Sequence, residues 1–278
     1  MRTARMRTAS MPGREQPETL SRAVDLNADL GELPGIPGAA IDDALLGIVT
    51  SANVATGGHA GDLDSMRRVC QLAATRAVSI GAHLSFEDRP GFGRRVPERI
   101  DAGLVRSLRE QLQALAEAAE TAGTRIAYVK AHGALYNLSL DRPDVAEAIL
   151  DAVHGSGLGI LTIQGSVLQS MAAAAGVRTY AEFFADRGYL ANGRLVPRGL
   201  DGDLVLQDVE ERALRAVLTG SVASSTGQDI EVQVDSICLH GDTPGAVELA
   251  RRVRDRLLEA QVEIRPFCDG RMSDAPTP

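Results

Sequence analysis

Apolar and polar positions alternate in Val24-Asp25-Leu26-Asn27-Ala28-Asp29, the period-two pattern of a strand with one polar face, and Gly31 ends the run. Asp25, Asn27 and Asp29 therefore share a face. Three oxygen-bearing side chains on one side of a buried strand are costly without partners, which favours a site there over an edge strand turned to water. Leu33 to Gly38, with its prolines and glycines, reads as a loop, and Ile41 to Gly47 as a short helix. A strand-like run from Ile48 to Ala55 then feeds Thr56-Gly57-Gly58 and the turn His59-Ala60-Gly61-Asp62.

The same strand, polar turn and helix recur along the chain. Helical spacing covers Asp64 to Val78, and Val78 to His83 is a strand that ends on a second histidine. A polar, glycine-rich loop runs to Arg94-Arg95, a pair suited to a carboxylate or phosphate, before a long amphipathic helix from Arg99 to Ala122. Ile126 to Gly133 is a strand ending on His132, with Lys130 two residues back on the same face and Tyr136 and Asn137 in the loop beyond. Helices at Val145 to Val153 and Val167 to Ala175 flank a strand at Gly159 to Ile163. Thr179 to Ala185 is a strand carrying Glu182 in an otherwise apolar stretch, followed by a long loop with Arg194 and Arg198. Asp208 to Leu218 is helical, Thr219 to Gln228 a polar connector, and Ser236 to Gly241 a strand ending on His240, with Asp242 next. Thr243-Pro244 starts a last helix, and Val262 to Phe267 is a closing strand.

Six such β-to-α units with no linker between them argue for a single parallel α/β domain, closed or nearly closed as a barrel. In such folds the strands' C-terminal ends meet at the site. Four of the five histidines, His59, His83, His132 and His240, fall at strand ends, whereas His154 sits at a helix end and looks structural.

The chain has 278 residues, 44% hydrophobic, enough for a substantial core in one domain. Aromatic residues are only 3% with no Trp, and 29 basic against 37 acidic residues give a net charge of −8, which argues against a nucleic-acid surface. No apolar run approaches a membrane span. Cys70, Cys238 and Cys268 have no CxxC spacing and read as reduced thiols of a cytoplasmic protein. Residues 1–22 are Arg-rich with no apolar h-region, which predicts a disordered leader before a barrel domain over 23–278.

DLNADLGE at Asp25 to Glu32, NVATGGHAGD at Asn53 to Asp62, GAHLSFEDRPGFGRR at Gly81 to Arg95, VKAHGALYN at Val129 to Asn137, FADRGYLANGRLVPR at Phe184 to Arg198 and LHGDTPGAVELARRVR at Leu239 to Arg254 together resemble the LamB/YcsF family, the group of 5-oxoprolinase A subunits. The resemblance implies a deformed seven-stranded β/α barrel akin to the polysaccharide deacetylase-like fold. It implies ATP-dependent opening of 5-oxo-L-proline to L-glutamate together with partner B and C subunits. The chain departs from the family pattern at Thr56, Gly58, Leu84 and Ala131. Thr56 removes the thiol usual there, and Gly58 is expected to widen the pocket.

A stable lactam opens more readily once ATP has phosphorylated its amide oxygen; water then attacks, the ring opens and an acyl phosphate is hydrolysed. On this reading His59 or His132, with Asp62 or Asp29, supplies the base. Lys130 and Arg94-Arg95 stabilise phosphate or carboxylate charge. Asp25, Asn27, His83, Tyr136, Asn137, Glu182, His240 and Asp242 shape the substrate and phosphate pocket. No GxxxxGK[ST] motif is present, so ATP handling needs another surface or the partners. No residue is assigned to a metal. One alternative is a metal-dependent deacetylase or amidohydrolase with Asp29, His59 and His132 around an open position, although the HxxxH pair of a deacetylase is missing. Another is a non-catalytic subunit that only binds a small carboxylate.

Overall fold

The computed structural model describes residues 22–239, 241 and 245–268. The predicted leader falls, apart from Arg22, outside the described residues, as do His240, Asp242 and the Thr243-Pro244 helix start. In chain order the elements are β1 (Ala23–Leu30), α1 (Gly35–Leu46), β2 (Ser51–Ala55), α2 (Leu63–Arg76), β3 (Ser79–Leu84), α3 (Ala102–Thr121), β4 (Ile126–Ala131), α4 (Gly133–Ser139) and α5 (Pro143–Val153). They continue with β5 (Gly159–Thr162), α6 (Val167–Ala174), β6 (Thr179–Phe184), α7 (Val209–Thr219), β7 (Ser221–Ala223), β8 (Asp229–Glu231), β9 (Ser236–Leu239), α8 (Ala246–Glu259) and β10 (Glu263–Ile264).

Strands β1, β2, β3, β4, β5, β6 and β9 pair side by side in parallel, and β9 returns to β1, with Asp25 opposite Ser236 and Ala28 opposite Leu239. The chain is thus a single-domain, deformed seven-stranded β/α barrel; β10 adds to β1 outside the ring rather than closing it. The deformation is visible where the β3–β4 register shifts between Ile80 and Gly81. A Cβ on Gly81 would strike the Tyr128 ring at 2.2 Å, so the missing side chain gives that ring its place inside the barrel.

Alternation sorts the strands. The apolar set Val24, Leu26, Ala28 and Leu30 of β1 joins the core cluster that the helices cover, including Val69 and Ala73 of α2 and Val253 and Leu257 of α8. The opposite set, Asp25, Asn27 and Asp29, is buried inside the ring, so the water-facing edge strand is ruled out.

Four local expectations are corrected. The loop assigned to Leu33–Gly38 is largely the first turn of α1, because Pro37 lies where no backbone N–H is needed for the helix. Ile48 and Val49 lie between α1 and β2 rather than in the strand. Tyr136 and Asn137 lie on α4 rather than in a loop. The polar connector at Thr219–Gln228 holds β7, which pairs antiparallel with β8 outside the barrel.

Candidate functional site

The barrel interior is polar and hydrogen-bonded in tiers. At the bottom, the Asp25 carboxylate accepts from the hydroxyls of Thr50 and Ser51, each at 2.6 Å, and from Ser236. Burial outweighs these bonds and pushes the Asp25 carboxyl up to about 6. Above it, Asn53 donates to Asn27 Oδ1 (2.7 Å) and to Asp29 Oδ1 (2.8 Å), and Tyr128 donates to Asn53 Oδ1 at 2.7 Å.

At the top, Lys130 Nζ lies 2.9 Å from Asp29 Oδ1 and 2.7 Å from Glu182 Oε1, and donates to Cys238 Sγ at 3.1 Å. Burial opposes the ammonium charge, but Asp29 and Glu182 overcome it and hold Lys130 well above its ordinary value. Burial pushes the Cys238 thiol up, so it stays a thiol beside that charge.

Three histidines converge beside this ion pair. His59 and His132 stack face to face, ring centroids 3.7 Å apart and planes within 6°, with His83 edge-on to both. His59 Nε2 is 2.8 Å from Glu32 Oε1, and His59 Nδ1 is 3.0 Å from Ser85 Oγ. His83 Nε2 is 3.0 Å from His132 Nδ1 and 3.4 Å from Asp29 Oδ2. Burial, then the neighbouring imidazoles, lowers His59 to about 2 and holds His132 well below the usual histidine range, so both rings are neutral at pH 7. Glu32, His59, His83 and His132 each offer a ligand atom, all within 4.8 Å of one another, and so could hold a metal ion.

Glu32, His83 and His132 of this cluster line a cleft of about 540 Å³ together with Asp29, Lys130 and the buried Tyr136, with Arg94, Asn137, Arg194 and Arg198 toward its rim. Tyr136 packs edge-on against Phe184, and burial and Glu182 push its hydroxyl up, which keeps it a donor. Arg194 is held by Leu140 O (3.0 Å) and Asp141 Oδ1 (2.6 Å). A second, more open groove of about 620 Å³, lined by Arg95, Val96 and Ile100 among others, carries none of the imidazoles.

Of the residues singled out in the sequence, Asp29, His59, His83, Lys130, His132 and Glu182 come together, and Arg94, Tyr136 and Asn137 face the same cleft. Asp25 and Asn27 sit below as support. Asp62 does not join them. It is exposed and caps α2, its carboxylate accepting from Ser65 N at 2.8 Å while Ser65 Oγ accepts from Asp62 N. Arg95 separates from Arg94 and faces the other groove. His240 and Asp242 lie outside the described residues. Gly58 does not widen the pocket, because a Cβ there would meet Ser85 Oγ at 2.4 Å and Gln111 Oε1 at 2.9 Å. Thr56 likewise turns to Gln111 and His83 O, each 2.9 Å away. Glu32 is the residue that sequence reasoning missed: Gly31, at φ +73°, breaks the period-two phase, and Glu32 emerges beyond it over the barrel mouth.

This arrangement lies within a stretch, residues 24–271, that matches the model of the LamB/YcsF family. The chain belongs to the LamB/YcsF family. It is 48% identical over 250 residues to the 5-oxoprolinase A subunit of Mycolicibacterium paratuberculosis, covering 88% of this chain and 99% of that one. It is 48% identical over 248 residues to the protein of the same name from Streptomyces avermitilis, with the same coverage. Among solved structures, a lactam utilization protein from Thermus thermophilus superposes with a TM-score of 0.81 at 36% identity, over 88% of this chain and all of that one. Among the described residues of this LamB/YcsF chain, no helix is long and apolar enough to cross a membrane.

Proposed function

We propose that this chain is the A subunit of an ATP-dependent 5-oxoprolinase, which hydrolyses 5-oxo-L-proline to L-glutamate as ATP becomes ADP and phosphate. The relatives' shared name over nearly their full length suggests the reaction class. In the site, the reading is carried by one observation: the Asp29–Lys130–Glu182 ion pair opens on a small, arginine-rimmed cleft.

In this reading the γ-phosphoryl group of ATP is transferred to the lactam oxygen, with partner B and C subunits contributing nucleotide binding. Asp29 takes a proton from the water that adds to the activated carbon. The ammonium of Lys130 stabilises negative charge developing on oxygen there. The carbon–nitrogen bond then breaks, nitrogen leaving with a proton, and the resulting acyl phosphate is hydrolysed by a second water. Arg94 and Arg198 hold the phosphate and the substrate carboxylate, and Tyr136 donates a hydrogen bond. Glu32, His83 and His132 line the cleft beside Asp29.

Release of glutamate and phosphate from 5-oxo-L-proline and ATP by the chain with its B and C partners tests this, and a mixture that fails without this chain and works with it is the expected result. The second reading, a metal-dependent amide hydrolase, is favoured by the Glu32 and histidine group. It predicts deacylation of simple acetamides with no ATP added.

A further inference from the structure

The hydrogen bonds around the histidines leave two lone pairs facing each other. His132 Nε2 lies 3.0 Å from Phe92 O, and His83 Nδ1 lies 3.3 Å from Lys130 O. A carbonyl oxygen only accepts, so each of these nitrogens carries the ring proton. The other two nitrogens, His132 Nδ1 and His83 Nε2, are then bare acceptors only 3.0 Å apart, on rings of residues 7% and 1% exposed. Buried acceptors at that distance repel unless a cation lies between them.

Glu32 identifies which cation. Its Oε1 is 3.5 Å from His132 Nδ1 and 3.8 Å from His83 Nε2, closing a triangle with sides of 3.0, 3.5 and 3.8 Å. Bonds of about 2.0–2.1 Å in tetrahedral directions put ligand atoms roughly 3.3 Å apart, close to this triangle. A shared proton would use only the two nitrogens, whereas a metal ion also uses the carboxylate oxygen that lies within 3.8 Å of both. Glu32, His83 and His132 all line the cleft, so a fourth position opens toward it.

His59 is different. A nitrogen lone pair lies in its ring plane, and the His59 and His132 planes are parallel within 6° at 3.7 Å. One ion cannot lie in both planes. His59 instead fits a supporting role: Ser85 Oγ donates to its Nδ1, and its Nε2–H donates to Glu32 Oε1. Ser85 is itself fixed, since its backbone N–H donates to Gln111 Oε1 at 3.1 Å and its carbonyl accepts from Gln111 Nε2 at 2.9 Å.

We propose that Glu32, His83 and His132 form a three-ligand site for a divalent transition-metal ion of the zinc type, and that His59 is a positioning residue that aims Glu32. The site stands apart from the lactam reading, because metal binding is measured without substrate or partners. Full-length chain dialysed against chelator is titrated with Zn²⁺ by calorimetry, and the Co²⁺-loaded form is examined by visible absorption. Wild type is expected to take up one tight ion per chain, melt at a higher temperature with it, and show the absorption of a four- or five-coordinate Co²⁺ site. His59→Gln is expected to weaken Zn²⁺ binding about 10- to 100-fold and keep the shape of the Co²⁺ spectrum. Glu32→Gln, His83→Gln and His132→Gln are each expected to bind more weakly than His59→Gln and to change the spectrum. Wild type that takes up no Zn²⁺ overturns the proposal and leaves a proton between His83 and His132. A His59→Gln spectrum that changes while one of the other three keeps its shape overturns the ligand assignment. The wild-type titration decides the first point even if every variant misfolds.

Discussion

The rings of His59 and His132 stack at 3.7 Å, and Gly93 is wedged against both. At φ +66° it adopts a conformation that other residues resist, and a Cβ there would come within 2.8 Å of His59 Cβ and 2.9 Å of His132 Cδ2. Gly93→Ala is therefore expected to lower stability by about 1–3 kcal/mol and to reduce turnover by separating the rings. Chemical denaturation and an activity assay on the same preparation check this; an unchanged midpoint would mean the wedge is not tight.

Lys130 is the cation between two buried carboxylates, Asp29 and Glu182. Lys130→Met keeps the bulk but leaves both carboxylates without it, and breaking a buried pair this way costs about 3–5 kcal/mol. The variant is expected to unfold at a clearly lower urea concentration. A midpoint within error of wild type would show that the ion pair contributes little.

Asp25 predicts a pH dependence. Its carboxyl is raised to about 6 in the folded chain, against about 3.9 when unfolded, so the native state binds the extra proton between those values. Its contribution is therefore fully present below pH 4 and lost as pH rises through 6, a change of about 3 kcal/mol. Asp25→Asn removes that component. Unfolding free energies at pH 4, 5, 6 and 7 should show wild type losing stability relative to the variant across the window, and parallel curves would contradict the assignment.

Asp62 separates capping from chemistry. Asp62→Ala deletes the α2 cap and is expected to cost about 1 kcal/mol while leaving turnover by the assembled complex unchanged. A large loss of turnover with stability intact would return Asp62 to the site.

Much of this organisation was legible in the sequence, for identifiable reasons. Period-two alternation in β1 put Asp25, Asn27 and Asp29 on one face, and that face is the barrel interior. Histidines at strand ends converge because parallel strands of one ring end at the same mouth, and three of them do so among the described residues. Glu32 was hidden because Gly31 reverses the local backbone, and no periodicity survives such a turn. Asp62 misled for the opposite reason: a carboxylate beside a site histidine and before a helix satisfies both a catalytic and a capping pattern, and only the Ser65 bond separates them. The effect of Gly58 depended on Ser85 and Gln111, which reach it from β3's end and α3, contacts that no local pattern encodes.

The most direct measurement is the rate of glutamate and phosphate release from 5-oxo-L-proline and ATP by the complete three-subunit mixture, with this chain either wild type or Asp29→Asn. Wild type is expected to give stoichiometric glutamate and phosphate, and the folded Asp29→Asn variant a rate at least about 100-fold lower while the mixture still forms. A variant that turns over at the wild-type rate would remove Asp29 from the chemistry, and a wild-type mixture that releases no glutamate would contradict the lactam-opening reading.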